Sequence, residues 1–447
     1  DVNSGKLPTI SWLASPEKFS DHPTSPWYGA WYISEILNIL TKNPEVWKKT
    51  IFILTYDEND GYFDHAPSYA AADPKRPETG GASAGIDTGL EYIYKEDELA
   101  MGVHPEDART APIGMGFRVP MIVASPWSRG GWVNSQLFDH TSTLQFLEEF
   151  LQQKYGKSVR EENISAWRRT VAGDLTSVFR AQDAKEPALD YLNRDKTVIG
   201  IAQARYREIP SNYRQLEKAQ MEQINHTPRA SQDMPHQEPG TRRSCALPYE
   251  LSADCSLTPD GKQWELRLSA EDKAHGTRSA GAPFNVYLRN PTAPGKEKMR
   301  AATYAVKAGD TLTVHYPTEL FGDASQIEIY APNGFYRSMN VSRNAQPLTV
   351  HTAYERNPDN TLTGRLLLHL WNGASKPVMA IVSDNVYKAA PLRKRLRPQL
   401  EVILPISLEH GQGWYDFTVE VQGEEATARI AGRVETGKPG VSDPAMA

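Results

Sequence analysis

Cysteine is scarce in this 447-residue chain, which has only Cys245 and Cys255. Two thiols neither staple a chain of this length nor complete a zinc site by themselves. Their spacing leaves two readings open: one local hairpin disulfide, which would imply an oxidising compartment, or two reduced buried thiols. Long hydrophobic runs are missing as well, since no stretch approaches the ~18–20 apolar residues of a membrane-spanning helix. Positive charge is not in excess. Lys plus Arg number 49 against 55 for Asp plus Glu, a net charge of −6, which argues against a general nucleic-acid binder with a basic face for phosphates. The start, Asp1-Val2-Asn3-Ser4-Gly5, has no initiator Met, basic n-region or apolar h-region, so a processed chain or a piece of a larger polypeptide is expected. What is present suffices for cores: 39% of the residues are hydrophobic, and the length calls for two to four domains.

Residues 1–185 alternate between helical and strand-like patterns. Ile33, Ile36, Leu37 and Leu40 follow the i, i+3, i+4, i+7 spacing of a helix with one buried face. Thr50–Tyr56 and Val119–Ala124 are short apolar runs of the kind covered on both faces in a parallel sheet between helices. Leu144, Leu147, Phe150 and Leu151 predict another amphipathic helix. The fold class expected here is α/β. Between the two strands, residues 66–116 show almost no periodicity, and a loop that long is expected to cover a site or to move. Residues 186–245 are polar and Gln- and Pro-rich, reading as a connector with some helix near Tyr213–Ile224. From residue 246 the pattern becomes short alternating strands with an internal repeat. Tyr249–Cys255, the turn at Pro259-Asp260-Gly261 and Trp264–Leu268 are echoed by Leu348–Tyr354, Pro358-Asp359-Asn360 and Arg365–Leu370, and the two prolines lie 99 residues apart (358 − 259). Gln326–Tyr330 is echoed likewise by Tyr415–Val419. Two tandem all-β sandwich modules are therefore expected, at 246–345 and 346–437, with a tail at 438–447.

The segment Tyr56-Asp57-Glu58-Asn59-Asp60-Gly61-Tyr62-Phe63-Asp64-His65 concentrates four carboxylates and a histidine directly after a strand. In open α/β sheets ligands bind at the carboxyl ends of strands. Close carboxylates repel unless a cation neutralises them, so one divalent metal is the simplest partner. Hard oxygen donors favour Mg, Ca or Mn, while a nearby imidazole keeps zinc or iron open. The competing reading is a solvated acidic turn in which Asn59 and Gly61 serve the turn geometry. His22 sits in a loop before Pro23, and His140 stands at a helix start beside Asp139. His275, His315 and His351 fall in the β region without acidic clusters and read as structural.

Taken together, Asp21-His22-Pro23, Thr55–His65, Arg118-Val119-Pro120, Ser125-Pro126-Trp127 and Phe138–Ser142 resemble the bacterial phosphoesterase family that contains acid phosphatase A and the phosphocholine-preferring phospholipases C. Pro332–Arg337, Gly413–Phe417 and Arg429–Gly437 are similar to the paired C-terminal modules of those phospholipases C. The resemblance implies an alkaline-phosphatase-like α/β sheet with helices on both faces, incomplete here and followed by the two β-sandwich modules. It implies metal binding at Asp57 and Glu58, a catalytic His22 beside the reacting phosphate, and supporting phosphate or outer contacts from His65 and His140.

The activity implied is a secreted or periplasmic, metal-dependent phospholipase C acting on phosphatidylcholine- or sphingomyelin-type phosphodiesters at a lipid surface. A phosphomonoesterase, or a noncatalytic binding module, are the alternatives. A quaternary ammonium is held by aromatic faces and a carboxylate, for which Tyr62, Trp127 and Asp60 lie in the matched motifs. The chain departs from the family upstream of His22: the Glu-Asn motif and the Thr or Ser nucleophile expected there are not found in their usual surroundings. The chain accordingly looks like the C-terminal portion of such an enzyme.

Overall fold

The computed structural model describes residues 1–20, 22, 26–59, 61, 66–181, 193–208, 211, 213–227, 230–231, 234, 239–322, 324–341, 348–424 and 426–446. The first part contains α1 (Pro26–Thr41), α2 (Pro44–Trp47), β1 (Phe52–Thr55), β2 (Gly80–Ala82), β3 (Tyr92–Ile93), α3 (Lys95–Ala100), β4 (Ala111–Pro112), β5 (Met121–Ala124), α4 (His140–Tyr155) and α5 (Ala166–Val171). The expected helices and strands all form here. The helix predicted from Leu144–Leu151 starts under the Asp139 cap and ends at Gly156, whose φ of +63° supplies the left-handed C-terminal turn.

The pairing of the two apolar strands differs from expectation. β1 and β5 run antiparallel, with Phe52 opposite Ala124 and Thr55 opposite Met121, and form a two-stranded sheet. Their residues are half-buried rather than enclosed, and Ile122 is 56% exposed. A continuous apolar run reports hydrophobicity on both faces of a strand, not the direction of its neighbour.

The connector contributes α6 (Arg194–Ala204), α7 (Lys218–His226) and β6 (Arg243–Ser244), so helix forms close to the expected place and also upstream of it. The β region begins with β7 (Leu251–Leu257), β8 (Gln263–Ala270), β9 (Ala282–Arg289), β10 (Met299–Val306), β11 (Asp310–Pro317), β12 (Ser325–Ala331) and β13 (Phe335–Val341). It continues with β14 (Leu348–Arg356), β15 (Leu362–Asn372), β16 (Val378–Asp384), β17 (Leu392–Leu396), β18 (Glu401–Ile406), β19 (Trp414–Val421), β20 (Ala426–Arg433) and β21 (Gly440–Val441). Both halves of the repeat are hairpins: β7–β8 matches β14–β15, and β12–β13 matches β19–β20. Alternating burial along β7 and β12 turns every second side chain inward.

The two repeats are not separate bodies. The last strands of each, β13 and β20, pair antiparallel from Tyr336–Ala431 to Met339–Ala428. One nine-stranded sheet results, ordered β17-β16-β19-β20-β13-β12-β9-β10-β2, with three-stranded sheets β11-β8-β7 and β14-β15-β18 alongside. A single core runs through all three, including the fully buried Leu266, Leu268, Phe284, Ile327, Leu366, Leu368 and Val419.

The long aperiodic segment 66–116 is held down: β2 adds in parallel to the edge strand β10, Thr303 Oγ1 donates to the Ala70 carbonyl at 2.6 Å, and Ser83 N donates to the Ala305 carbonyl at 2.9 Å. Strand addition uses backbone groups, which leave no side-chain period to read. The tail is also tied in, because β21 pairs with β6. No disulfide forms: Cys245 and Cys255 are free and buried. Cys245 Sγ lies 3.6 Å from Arg180 Nη1, whereas Cys255 faces the β core. Among the described residues no helix is long and apolar enough to cross a membrane.

Candidate functional site

β1 delivers the acidic segment. Its last residue, Thr55, pairs with Met121, and the Tyr56 amide still donates to the Pro120 carbonyl at 3.3 Å before the chain leaves the sheet. Beyond that point Asp57 and Glu58 are exposed. Asp57 Oδ1 accepts the Glu58 amide at 3.1 Å, and Asn59 Oδ1 accepts the Gly61 amide at 3.0 Å. Gly61 has φ +88°, so Asn59 and Gly61 do form the turn that their residue types suggest. The turn leaves both carboxylates facing solvent, and among the described residues neither has a cationic partner. They offer adjacent hard oxygen donors that suit a divalent ion in chemistry. Among the described residues no three His, Cys, Asp or Glu side chains gather into a metal cluster.

His140 comes to the same place from the other side. It is the first residue of α4 and is exposed, and its Nε2 lies 2.9 Å from the Asp57 carbonyl oxygen. A carbonyl can only accept, so Nε2–H is the donor in this contact. The helix start is rigidly built. Asp139 Oδ1 accepts from Thr141 N at 2.9 Å and Thr141 Oγ1 at 2.6 Å, while Ser142 Oγ accepts the Asp139 amide at 3.0 Å.

Behind this cap lies a network without any local sequence signal. Arg168, on α5, donates from Nη1 to Asp139 Oδ2 at 2.7 Å, from Nε and Nη2 to the two oxygens of Glu91 at 2.9 and 2.8 Å, and from Nη2 to the Gly114 carbonyl at 2.9 Å. Glu91 also accepts Ser165 Oγ at 2.5 Å. The side chains are 16% exposed at Arg168, 4% at Glu91 and 6% at Asp139, so these charges interact away from bulk water. Burial works against the charged guanidinium, but the two carboxylates outweigh it and hold the Arg168 pKa above its ordinary value.

The remaining predicted residues are placed less closely. His22 is exposed, and its Nδ1 shares a 3.0 Å hydrogen bond with Ser20 Oγ. Asp60, Tyr62 and His65 lie outside the described residues. Trp127 is half-buried, and its carbonyl accepts the Arg180 amide at 2.9 Å. Because β1 and β5 are antiparallel, Trp127 follows the end of β5 that pairs with Phe52, whereas Asp57 follows the opposite end of the ribbon. The paired stretch between them is about 10 Å long at the usual rise per residue.

Residues 1–152 match the model of the phosphoesterase family, and residues 243–340 match that of the bacterial phospholipase C C-terminal domain. The chain is 37% identical over 454 residues to the non-hemolytic phospholipase C of Pseudomonas aeruginosa, an alignment covering 100% of this chain and 59% of that protein. It is 35% identical to the non-hemolytic phospholipase C of Burkholderia pseudomallei and 34% identical to the hemolytic phospholipase C of Pseudomonas aeruginosa, in each case over 100% of this chain and 58% of the relative. The chain thus spans under two thirds of the length of the curated relatives it matches. The resemblance drawn from its motifs holds, and Asp57, Glu58 and His140 all fall inside the phosphoesterase match.

Proposed function

We propose that this chain is part of a phospholipase C that hydrolyses choline phosphodiesters of the phosphatidylcholine or sphingomyelin type, releasing diacylglycerol or ceramide and phosphocholine. The observation that carries this reading is similarity along the whole chain to proteins named phospholipase C, in both the phosphoesterase and the C-terminal domain regions. In this reading residues 1–185 belong to an alkaline-phosphatase-like α/β domain. The strands from β7 to β13 and from β14 to β20 are two fused sandwiches that present the enzyme to a lipid surface outside the cytoplasm.

Asp57 and Glu58 would hold one divalent cation, with Mg, Ca or Mn best suited to their oxygens. When bound, the cation supplies charge neutralisation to the phosphate oxygens and polarises the attacking hydroxyl. The protein's own residues do the rest. Hydrolysis breaks the phosphorus–oxygen bond to the glyceride or ceramide alcohol, and that alcohol must leave with a proton. His22, exposed on its loop, is the general acid for it. His140 holds the carbonyl of Asp57 and so fixes where the chain turns; His65 is assigned a phosphate contact. Asp60 and Tyr62, on the same segment, are assigned to the quaternary ammonium.

The test compares p-nitrophenyl phosphorylcholine with p-nitrophenyl phosphate, using the full-length protein that carries this chain, with and without chelator. Turnover of the diester, lost on chelation and restored by a divalent ion, is expected. Preference for the monoester would instead indicate a phosphomonoesterase, and failure of correctly folded protein to turn over either substrate would contradict the proposal.

A further inference from the structure

We infer that Arg168 is a positioning residue for the hydrolytic site, acting through Asp139 and His140 on the backbone of Asp57. The inference rests on the proposed function for the identity of that site, and on geometry for the connection. Apart from the chain bond between Asp139 and His140, each link is a hydrogen bond of 2.7–2.9 Å. Glu91 receives the guanidinium in a two-pronged contact at 2.9 and 2.8 Å, which fixes the plane of the fork. The free prong reaches Asp139 Oδ2 at 2.7 Å. The other oxygen of Asp139 caps α4 through Thr141, and the next side chain, His140, donates to the Asp57 carbonyl at 2.9 Å.

The charges explain why this arrangement positions rather than merely fills space. Two nearly buried carboxylates, Glu91 and Asp139, share one cation. Without it they would repel, and Asp139 would have to turn toward water, taking the start of α4 with it. His140 and Asp57 are both exposed, so packing does not hold them at the surface. Their hydrogen bond is held from beneath. The anchor is itself held: Glu91 and Gly114 belong to the long segment that β2 ties to β10, so the β region supports the site through the same chain of contacts.

Lysine keeps the charge of Arg168 but gathers its three donors on one nitrogen, which cannot reproduce the contacts that Nε, Nη1 and Nη2 make with Glu91 and Asp139 from separate positions. The informative variant is therefore Arg168→Lys in the full-length protein, with Asp139→Asn as the second, because asparagine preserves the cap while losing the ion pair. Two readouts are needed. Hydrogen exchange followed by mass spectrometry reports the geometry whatever the activity: exchange in residues 138–143 and 54–59 should rise several-fold in Arg168→Lys. Divalent-ion affinity by calorimetry and turnover of p-nitrophenyl phosphorylcholine report the site. Both should fall about 10–100-fold, the range seen when outer contacts to a metal site are removed, with KM nearly unchanged.

A purely structural arginine would lower the melting temperature and raise exchange only in residues 88–92 and 165–168, leaving kcat and ion affinity of the folded protein unchanged; that result overturns the inference. Should Arg168→Lys fail to fold, Asp139→Asn gives the same two readouts. If wild-type protein shows no ion binding or diester turnover while exchange at 54–59 responds, the proposed function fails and the positioning link survives.

Discussion

Gly80 lies backbone to backbone against Thr303: a Cβ on Gly80 would stand 1.8 Å from the Thr303 carbonyl oxygen. Its φ of +131° is also closed to side-chain-bearing residues. The residue therefore lets a strand of the first part of the chain dock on the edge of the nine-stranded sheet. Gly80→Ala is expected to open this junction and to destabilise the protein by more than about 1 kcal/mol, since alanine is placed where glycine is required. Hydrogen exchange checks it: protection should fall at 80–83 and 303–305, and unchanged exchange there would show that the junction tolerates a Cβ.

The seam between the two repeats depends on Arg337. It is 1% exposed and donates to the carbonyls of Tyr336 and Ala431 at 2.8 Å and to Tyr415 Oη at 2.9 Å. Its guanidinium also stacks 4.1 Å from the Phe335 ring centroid. Arg337→Met keeps much of the volume but strands these acceptors, for a loss of about 2–4 kcal/mol, whereas Tyr415→Phe removes one hydrogen bond for about 1 kcal/mol. Urea midpoints of the two variants should stand in that order.

A second seam contact responds to pH. His351 Nδ1 on β14 lies 3.6 Å from Asp254 Oδ1 on β7, and that carboxylate raises the histidine pKa above its ordinary 6.5 despite burial. Folding thus favours the protonated ring. The contribution is complete below 6.5 and drains away as pH climbs through the raised folded-state value. The urea midpoint of wild type should exceed that of His351→Gln at pH 5.5, with the gap closing by pH 8.5. A gap that widens with pH would have the wrong sign for this contact.

The cysteines give a simple chemical test. Both are buried, and burial pushes both thiols upward in pKa, away from the reactive thiolate. Native protein should leave a thiol reagent almost unreacted, and denatured protein should consume two equivalents. A melting temperature lowered by dithiothreitol would instead reveal a disulfide.

The hairpins were legible because their determinants are local. Alternating residues flank Pro259-Asp260-Gly261 and Pro358-Asp359-Asn360, and the residues with positive φ are Gly261 and Asn360 themselves, at +71° and +67°. The helix start at Asp139–Ser142 was legible for the same reason. Pairing across distance was not. Nothing in the runs at Phe52 and Met121 specifies that they run antiparallel, and Gly80 shows no sign of its partner Thr303. The acidic segment announced Asp57 and Glu58, yet the residues behind them, Glu91 and Arg168, are 77 positions apart and are joined only by the fold.

Asp57 and Glu58 are proposed to bind the cation of a choline-phosphodiester hydrolase. This assignment is tested most directly by measuring metal content and p-nitrophenyl phosphorylcholine turnover together in the Asp57→Asn variant of the full-length protein. The variant is expected to fold, to lose its divalent ion and to lose turnover by about a hundredfold or more, since a direct ligand should matter at least as much as the outer contacts of a metal site. A folded variant that keeps both its ion and its turnover would contradict it.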